Sequence, residues 1–118
     1  MIKLLAATAF ITLLAADAWA QKTEPAVGEG VGTYACSEYL RATKADPSKD
    51  MLYYSWAQGW MTGWNLALMD QHKPTADLWT PDGSDQRAFL LAYCKAHPTA
   101  LFMEAVYKLR ASLPTIAK

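Results

Sequence analysis

Residues 50–70 read DMLYYSWAQGWMTGWNLALMD, and the stretch between Asp50 and Asp70 carries no charge. At 100° per residue it separates into two faces, whereas a strand would alternate with a period of two. One face collects the large apolar side chains Tyr53, Tyr54, Trp56, Ala57, Trp60, Met61, Trp64, Leu68 and also Ala67. The other face collects Ser55, Gln58, Gly59, Thr62, Gly63 and Asn65. We therefore expect a helix of about 20 residues, roughly 30 Å long, at the centre of the fold.

An uncharged stretch of this length also raises the possibility of a membrane span, because about 20 apolar residues cross a bilayer. Two glycines and a sorted polar face favour instead a buried central helix in a soluble bundle. A small residue recurs at every fourth position of the stretch, at Ser55, Gly59, Gly63 and Ala67. Such a series lets a second backbone approach closely, so we expect these four residues to lie at a tight helix crossing.

The first twenty residues have the pattern of a secretory signal peptide. Lys3 supplies the positive start, residues 4–16 form a short apolar core, and Ala18-Trp19-Ala20 is a small-x-small cleavage site. The apolar core is too short to span a membrane. We expect residues 1–20 to be removed and the mature protein to be periplasmic, without a membrane span.

Residues 21–32 contain a proline and three glycines and show no apolar period, which predicts a flexible N-terminal arm. Residues 33–118 are then expected to form one helical domain. Three further helices are predicted, at about residues 33–43, 84–96 and 100–113, and prolines mark their ends. The fold class is therefore all-α, a small four-helix bundle of orthogonal or irregular packing.

Helix caps and one loop complete the expected architecture. Ser48 or Asp50 is expected to cap the central helix, Asp82 or Ser84 the third helix, and Thr99 the fourth. The loop between the central and third helices carries Trp79 beside prolines. We expect this tryptophan to lie as a lid over an edge of the core.

The two cysteines, Cys36 and Cys94, occur in a chain that is expected to be exported. Because an oxidising compartment favours disulfides, a bridge between them is the first expectation. The alternative is a metal pair, since Cys94 and His97 are spaced i, i+3 on one helix. Two ligands do not make a zinc site, so we expect no metal and no cofactor.

The sequence offers no pattern of a known catalytic site. It has no Gly-rich phosphate loop, no G-x-S-x-G, no HExxH and no paired-carboxylate motif. His72 and His97 have no partner that the sequence reveals, and we expect both to be solvated. The chain has 11 basic and 11 acidic residues, which gives no electrostatic case for nucleic acid. We expect a protein that is not an enzyme.

The most unusual feature is the concentration of aromatic residues on the central helix, where Tyr53, Trp56, Trp60 and Trp64 share a face. A small domain needs large side chains to fill its core, which favours an interior role. The alternative is a surface that binds an apolar partner, either in a homodimer or when the fold opens. The sequence leaves both possibilities open, for this face and for Trp79.

Three segments resemble the small periplasmic acid-stress chaperones of the HdeA type. They are the opening Tyr34-Ala35-Cys36-Ser37-Glu38-Tyr39-Leu40, the Gly59-Trp60-x-x-Gly63 turn, and Tyr93-Cys94 followed by Phe102 and Val106. The resemblance implies a helical bundle with Cys36 bridged to Cys94. It also implies a homodimer at neutral pH that loosens in acid, exposes apolar surface and holds unfolding client proteins.

A second resemblance leads to a different function. The Gly-aromatic-x-x-Gly centre, the aromatic-Cys-x-x-His-Pro segment ending at Pro98 and the amphipathic last helix are similar to periplasmic immunity proteins of the Rap and Tai type. Those proteins bind and neutralise one secreted toxin, and they usually carry a second cysteine pair that this chain lacks. Both resemblances imply a protein partner, and an enzyme of unrecognised type remains a third hypothesis.

Overall fold

The computed structural model describes residues 28–117. The predicted signal peptide, residues 1–20, lies outside the described residues, as do residues 21–27 of the predicted arm.

Four α-helices make up the domain: α1 (Cys36–Ala45), α2 (Lys49–Asp70), α3 (Gly83–Ala96) and α4 (Phe102–Ser112). A short 3-10 helix, Gly30–Thr33, precedes them. Two strands, β1 (Thr75–Ala76) and β2 (Thr115–Ile116), pair antiparallel with Thr75 opposite Ile116. The predicted all-α four-helix fold is confirmed. The strand pair was not predicted, because two residues are too few to show the period of a strand.

The start of α3 follows the prediction. Asp82 is its N-cap, and the carboxylate accepts hydrogen bonds from the backbone amides of Ser84 and Asp85. These amides have no partner within the helix, so the cap satisfies donors that would otherwise need water. Asp82 therefore fixes the point at which the loop after β1 becomes α3.

The predicted cap of α2 is wrong. Ser48 stands at the N-cap position, but its hydroxyl donates to the carboxylate of Asp46 and does not bond the helix. Asp50 lies inside the first turn, and its carboxylate accepts from side chains of α1 and α3 instead. The Asp50 carboxylate bonds Tyr39 and Arg87, which are distant in sequence, and so the local sequence did not reveal its role.

The predicted cap of α4 at Thr99 is also wrong. The helix begins later, and the Phe102 amide donates to the carbonyl of Tyr34, 2.8 Å away. The Cys36 amide, at the start of α1, in turn donates to the carbonyl of Ala100 over 2.7 Å. The first turns of α1 and α4 are therefore held by backbone bonds between the two segments that precede them.

The core is built around three aromatic rings from three helices. The ring centroids of Tyr39, Tyr53 and Phe102 lie 4.9 to 5.0 Å apart in tilted and edge-on arrangements, which are the favourable geometries for aromatic pairs. Further buried side chains complete the core, among them Ala57, Met61, Leu90, Ala105, Val106, Leu109 and Leu113.

The disulfide between Cys36 and Cys94 is confirmed. It joins the first residue of α1 to the end of α3, where the two Cα atoms are 4.8 Å apart and both cysteines are fully buried. Because the bridge closes a loop of 58 residues, the chain-entropy model gives it about 4 kcal/mol of stabilisation. A bridged Cys94 cannot also be a thiolate ligand of a metal.

The end of the predicted arm packs against α2. Gly32 is buried, and a Cβ atom at this position would lie only 1.9 Å from the indole ring of Trp56. The indole Nε1 of Trp56 donates a hydrogen bond to the carbonyl of Glu29 over 3.0 Å. Residues 29–32 therefore belong to the packed domain, and glycine at position 32 is required by the close approach of the ring.

Candidate functional site

The aromatic face predicted for α2 is divided between core and surface. Tyr53, Ala57 and Met61 are buried. Trp56, Trp60 and Trp64 are half-buried at the edge of the core. Packing against the other helices therefore accounts for only the middle of this face, and its tryptophans form a partly accessible margin.

This margin continues from α2 onto α4 as a row of side chains that we call the aromatic ladder. Its members are Trp60, Trp64, Tyr107 and Arg110. Trp60 and Trp64 are in edge contact, with centroids 5.1 Å apart, and Tyr107 lies 5.7 Å from Trp64. The guanidinium of Arg110 lies over the Trp64 ring at 4.6 Å, a cation–π distance. Burial lowers the pKa of the Arg110 guanidinium.

Arg110 also connects the ladder to β1. Its Nη2 donates to the side-chain oxygen of Asn65 over 3.2 Å, and Asn65 exchanges two hydrogen bonds with the backbone of Ala76. Within residues 28–117, the buried Nε atom of Arg110 has no hydrogen-bond partner. The ladder is therefore a fixed edge of the domain, since the strand, α2 and α4 all hold it.

The opposite side of α2 forms a continuous uncharged surface, which we call the α2 outer face. Its members are Met51, Leu52, Ser55, Gly59, Thr62, Gly63, Leu66, Ala67 and Met69, all of them exposed. Leu66 is 57% exposed and Leu52 51%. A soluble helix normally presents charge to water on this side. The α2 outer face is thus an uncharged patch that no element in the described part of the chain covers. Met51, Leu52, Leu66 and Met69 are its large apolar members, and Ser55 and Thr62 are polar.

The predicted tight crossing at Ser55, Gly59, Gly63 and Ala67 does not occur within residues 28–117. All four residues lie on the α2 outer face, and a Cβ atom at Gly59 or Gly63 would meet nothing within 4 Å. The sequence pattern identified residues that share a face but could not show whether that face is inside or outside. In the described residues, no helix is long and apolar enough to cross a membrane.

Trp79 is not a lid over the core. Its side chain is 89% exposed at the tip of the loop between β1 and α3. The backbone on both sides of it is nevertheless fixed. The carboxylate of Asp77 accepts from the amides of Trp79 and Thr80, at 2.8 and 3.2 Å.

A buried glutamine holds the same loop from below. Gln86 is fully buried, and its Nε2 donates to the carbonyls of Leu78 and Pro81. Its Oε1 accepts from Gln58 Nε2 over 2.7 Å. The sequence pattern gave no sign of this network, because Gln86 occupies a helical position that reads as polar surface. The loop therefore presents a tryptophan to solvent on a fixed backbone.

A polar cluster links α1, α2 and α3 at one end of the bundle. Asp50 accepts from the hydroxyl of Tyr39 over 2.9 Å, and Arg87 Nη1 donates to its other oxygen over 3.1 Å. Burial and the bond to Asp50 raise the pKa of the Tyr39 hydroxyl. The sequence analysis did not predict this cluster, since its members lie far apart along the chain.

The two histidines lie apart from these clusters. Both are exposed; His97 stacks on Tyr93 with centroids 4.5 Å apart, and His72 follows the end of α2 with a positive φ of 55°. Among residues 28–117 there is no group of three or more His, Cys, Asp or Glu side chains that could hold a metal ion.

Comparison of the chain with protein-family models, with curated proteins and with solved structures finds no match.

Proposed function

We propose that this chain is an exported acid-stress chaperone of the HdeA type, which holds unfolding client proteins through the α2 outer face. One observation carries the proposal: between Met51 and Met69, over about 27 Å, α2 presents an uncharged surface to water. Exposed apolar patches of this kind mark sites of protein interaction. An unfolded client offers the complementary apolar segments.

The acid response is supported by carboxylates that stabilise the fold in their charged form. Bonds from Ser84 and Asp85 lower the pKa of the Asp82 cap, and bonds from Ser48 lower the pKa of Asp46. A carboxylate with a lowered pKa stabilises the fold above its ordinary value of 3.8, and that contribution is lost as the pH falls through the folded-state value. Acid therefore weakens the start of α3 and the turn between α1 and α2.

A homodimer at neutral pH is part of the proposal. The α2 outer face of a second copy is an apolar partner for this surface, and the small side chains of Ser55, Gly59, Gly63 and Ala67 would let two helices approach closely. Dissociation in acid would then release the same face for clients. The disulfide limits how far the opened chain unfolds.

The test is aggregation of an unrelated client protein that is taken to about pH 2 and back, followed by light scattering. The wild-type chain should suppress aggregation. Leu66→Lys places a charge that persists in acid on the α2 outer face, and it should abolish the suppression. Ile116→Lys is the matched control, because Ile116 is also about half exposed but lies outside this face. Equal suppression by both variants would contradict the proposal.

The Trp79 loop favours a second candidate, an immunity-type protein that binds one secreted toxin. A preorganised tryptophan suits a single shaped pocket, since tryptophan is prominent among residues that dominate binding energy and a fixed backbone loses little entropy on binding. A photo-crosslinking residue in place of Trp79 separates the two candidates in cells. One discrete adduct at neutral pH supports the immunity function, whereas the absence of an adduct at this position leaves the chaperone, which holds its clients at the α2 outer face.

A further inference from the structure

A groove lies between α1 and α3, and none of the residues of the aromatic ladder line it. The two helices are antiparallel, because the disulfide joins the start of α1 to the end of α3. The groove is open to solvent and has a volume of about 710 Å³, within the range of about 300 to 1,000 Å³ that is typical of small-molecule sites. Its walls include Ser84 and Lys95, which are eleven residues apart on α3 and so about 16 Å apart along the axis.

Most of the surface of the groove is apolar. Leu40 of α1, Ala88 and Leu91 of α3, and Pro47 of the connecting turn supply apolar lining, and of these Ala88 and Pro47 are exposed. The hydroxyls of Tyr39 and Thr43 in the lining are already engaged: Tyr39 donates to Asp50, and Thr43 donates to the carbonyl of Tyr39. A neutral polar molecule such as a sugar would therefore find few free partners here, whereas an alkyl chain would bury apolar surface.

The charges around the groove are positive on balance. Asp50 is its one acid among residues 28–117, and Arg87 neutralises that carboxylate at 3.1 Å. Lys44, in the last turn of α1, and Lys95, in the last turn of α3, also line the groove. Neither lysine forms an ion pair within residues 28–117. An occupant with an anionic end would satisfy them.

We infer that this groove binds a single-chain amphiphilic anion, an acyl chain that ends in a carboxylate. The chain lies along Leu40, Ala88 and Leu91, and the carboxylate pairs with Lys44 or Lys95 at an end of the groove. The length and apolar surface of the groove suit the alkyl chain, and the lysines at its ends suit the carboxylate. This site is separate from the α2 outer face, so it adds a ligand to the proposed function without depending on it.

Isothermal titration with dodecanoate below its micelle concentration tests the inference on the intact, disulfide-bonded protein. Dodecyltrimethylammonium has the same chain with the opposite charge, and acetate has the same head group without the chain. Dodecanoate should bind at least tenfold more tightly than either. Equal binding of the two dodecyl compounds would overturn the inference, because a groove selected by charge must distinguish them.

Two pairs of variants locate the binding. Ala88→Trp fills the groove from an exposed helical position and should abolish binding, whereas Ala111→Trp on α4 should leave it unchanged. Lys44→Glu with Lys95→Glu should weaken dodecanoate binding at least tenfold, and Lys73→Glu with Lys108→Glu is the control of equal charge. Helical circular dichroism confirms that each variant is folded. Dodecanoate binding that survives Ala88→Trp in the folded protein would place the ligand elsewhere and refute the assignment.

Discussion

At the scale of single residues, the contact between Gly32 and Trp56 decides where the domain begins. The glycine lies against the face of the indole, and the same indole bonds the carbonyl of Glu29. A run of glycines in the sequence suggests chain flexibility. Here one of them is needed for the opposite reason, because a tryptophan fills the space that a side chain would occupy.

Replacing this glycine should therefore be costly. Gly32→Ala introduces a Cβ atom 1.9 Å from the ring, so Trp56 must move and its bond to Glu29 is lost. We expect the free energy of unfolding in urea to fall by about 2 kcal/mol, as for other overpacked positions.

Gly59→Ala is the matched control for this measurement. Its Cβ meets nothing within 4 Å, and alanine is the better helix former, so stability should rise by up to about 1 kcal/mol. Both variants are compared at concentrations where the chain is monomeric. A loss for Gly59→Ala, or no loss for Gly32→Ala, would contradict the packing described.

At the scale of elements, α2 shows what the periodicity of a sequence predicts about a helix and what it leaves out. The sequence predicted the helix, but its expected place as a buried central helix is wrong, because only Tyr53, Ala57 and Met61 of its 22 residues are buried. The predicted faces hold only in part, since Ala67 of the large apolar face is exposed. The sequence did not predict that Met51, Leu52 and Leu66 would be exposed, because a helix with no charge on either side gives no signal for the side that faces water. The two-residue strands and the support of the Trp79 loop by Gln86 depend on residues distant in sequence, and no local pattern reports them.

The small-residue series on α2 yields a prediction about assembly. Gly63→Leu adds bulk where the chain itself has open space, so the monomer should fold normally while a close crossing of two α2 helices is blocked. Light scattering at neutral pH and tens of micromolar protein should give a dimer mass for the wild type and a monomer mass for the variant. Ala111→Leu, on exposed α4 surface, should remain dimeric. A wild-type monomer would refute the proposed dimer.

The N-cap of α3 gives a prediction about pH. In Asp82→Asn, the amide oxygen would accept the same backbone bonds as the carboxylate, but the side chain cannot be protonated in the acid range, so the variant should match the wild type at pH 7. As the pH falls below 3.8, the wild type loses the stabilisation of its charged cap and the variant keeps its own. The melting temperature of the variant should therefore decline less between pH 5 and pH 2. If the melting temperatures of the wild type and the variant fell equally between pH 5 and pH 2, this cap would have no part in the acid response.

At the scale of the whole molecule, the disulfide holds α1 to α3 while α2 and α4 pack around them. The cysteine pair was expected from composition and export, and the structure confirms it. Replacing both Cys36 and Cys94 by alanine should lower the free energy of unfolding by about 4 kcal/mol, comparable to the net stability of a small domain. Urea titration of the oxidised wild type and of the variant measures this difference in the free energy of unfolding. A difference below about 1 kcal/mol would contradict the constraint assigned to the bridge.

This disulfide-linked bundle carries three surfaces of different chemistry. The α2 outer face is uncharged and open, the Trp79 loop is rigid and aromatic, and the α1–α3 groove is apolar with a basic rim. The three surfaces are formed by different residues, so each proposal can fail without the others. The claim on which the proposed function depends is that proteins bind at the α2 outer face.

Site-specific photo-crosslinking at position 66 tests that claim most directly. A crosslinking residue replaces Leu66, and the same residue at position 116 serves as the control of similar exposure. The account predicts a self-adduct from position 66 at pH 7, and adducts to many client proteins from position 66 at pH 2. Position 116 should give neither. The absence of adducts from position 66 at both pH values, in folded protein, would contradict the account.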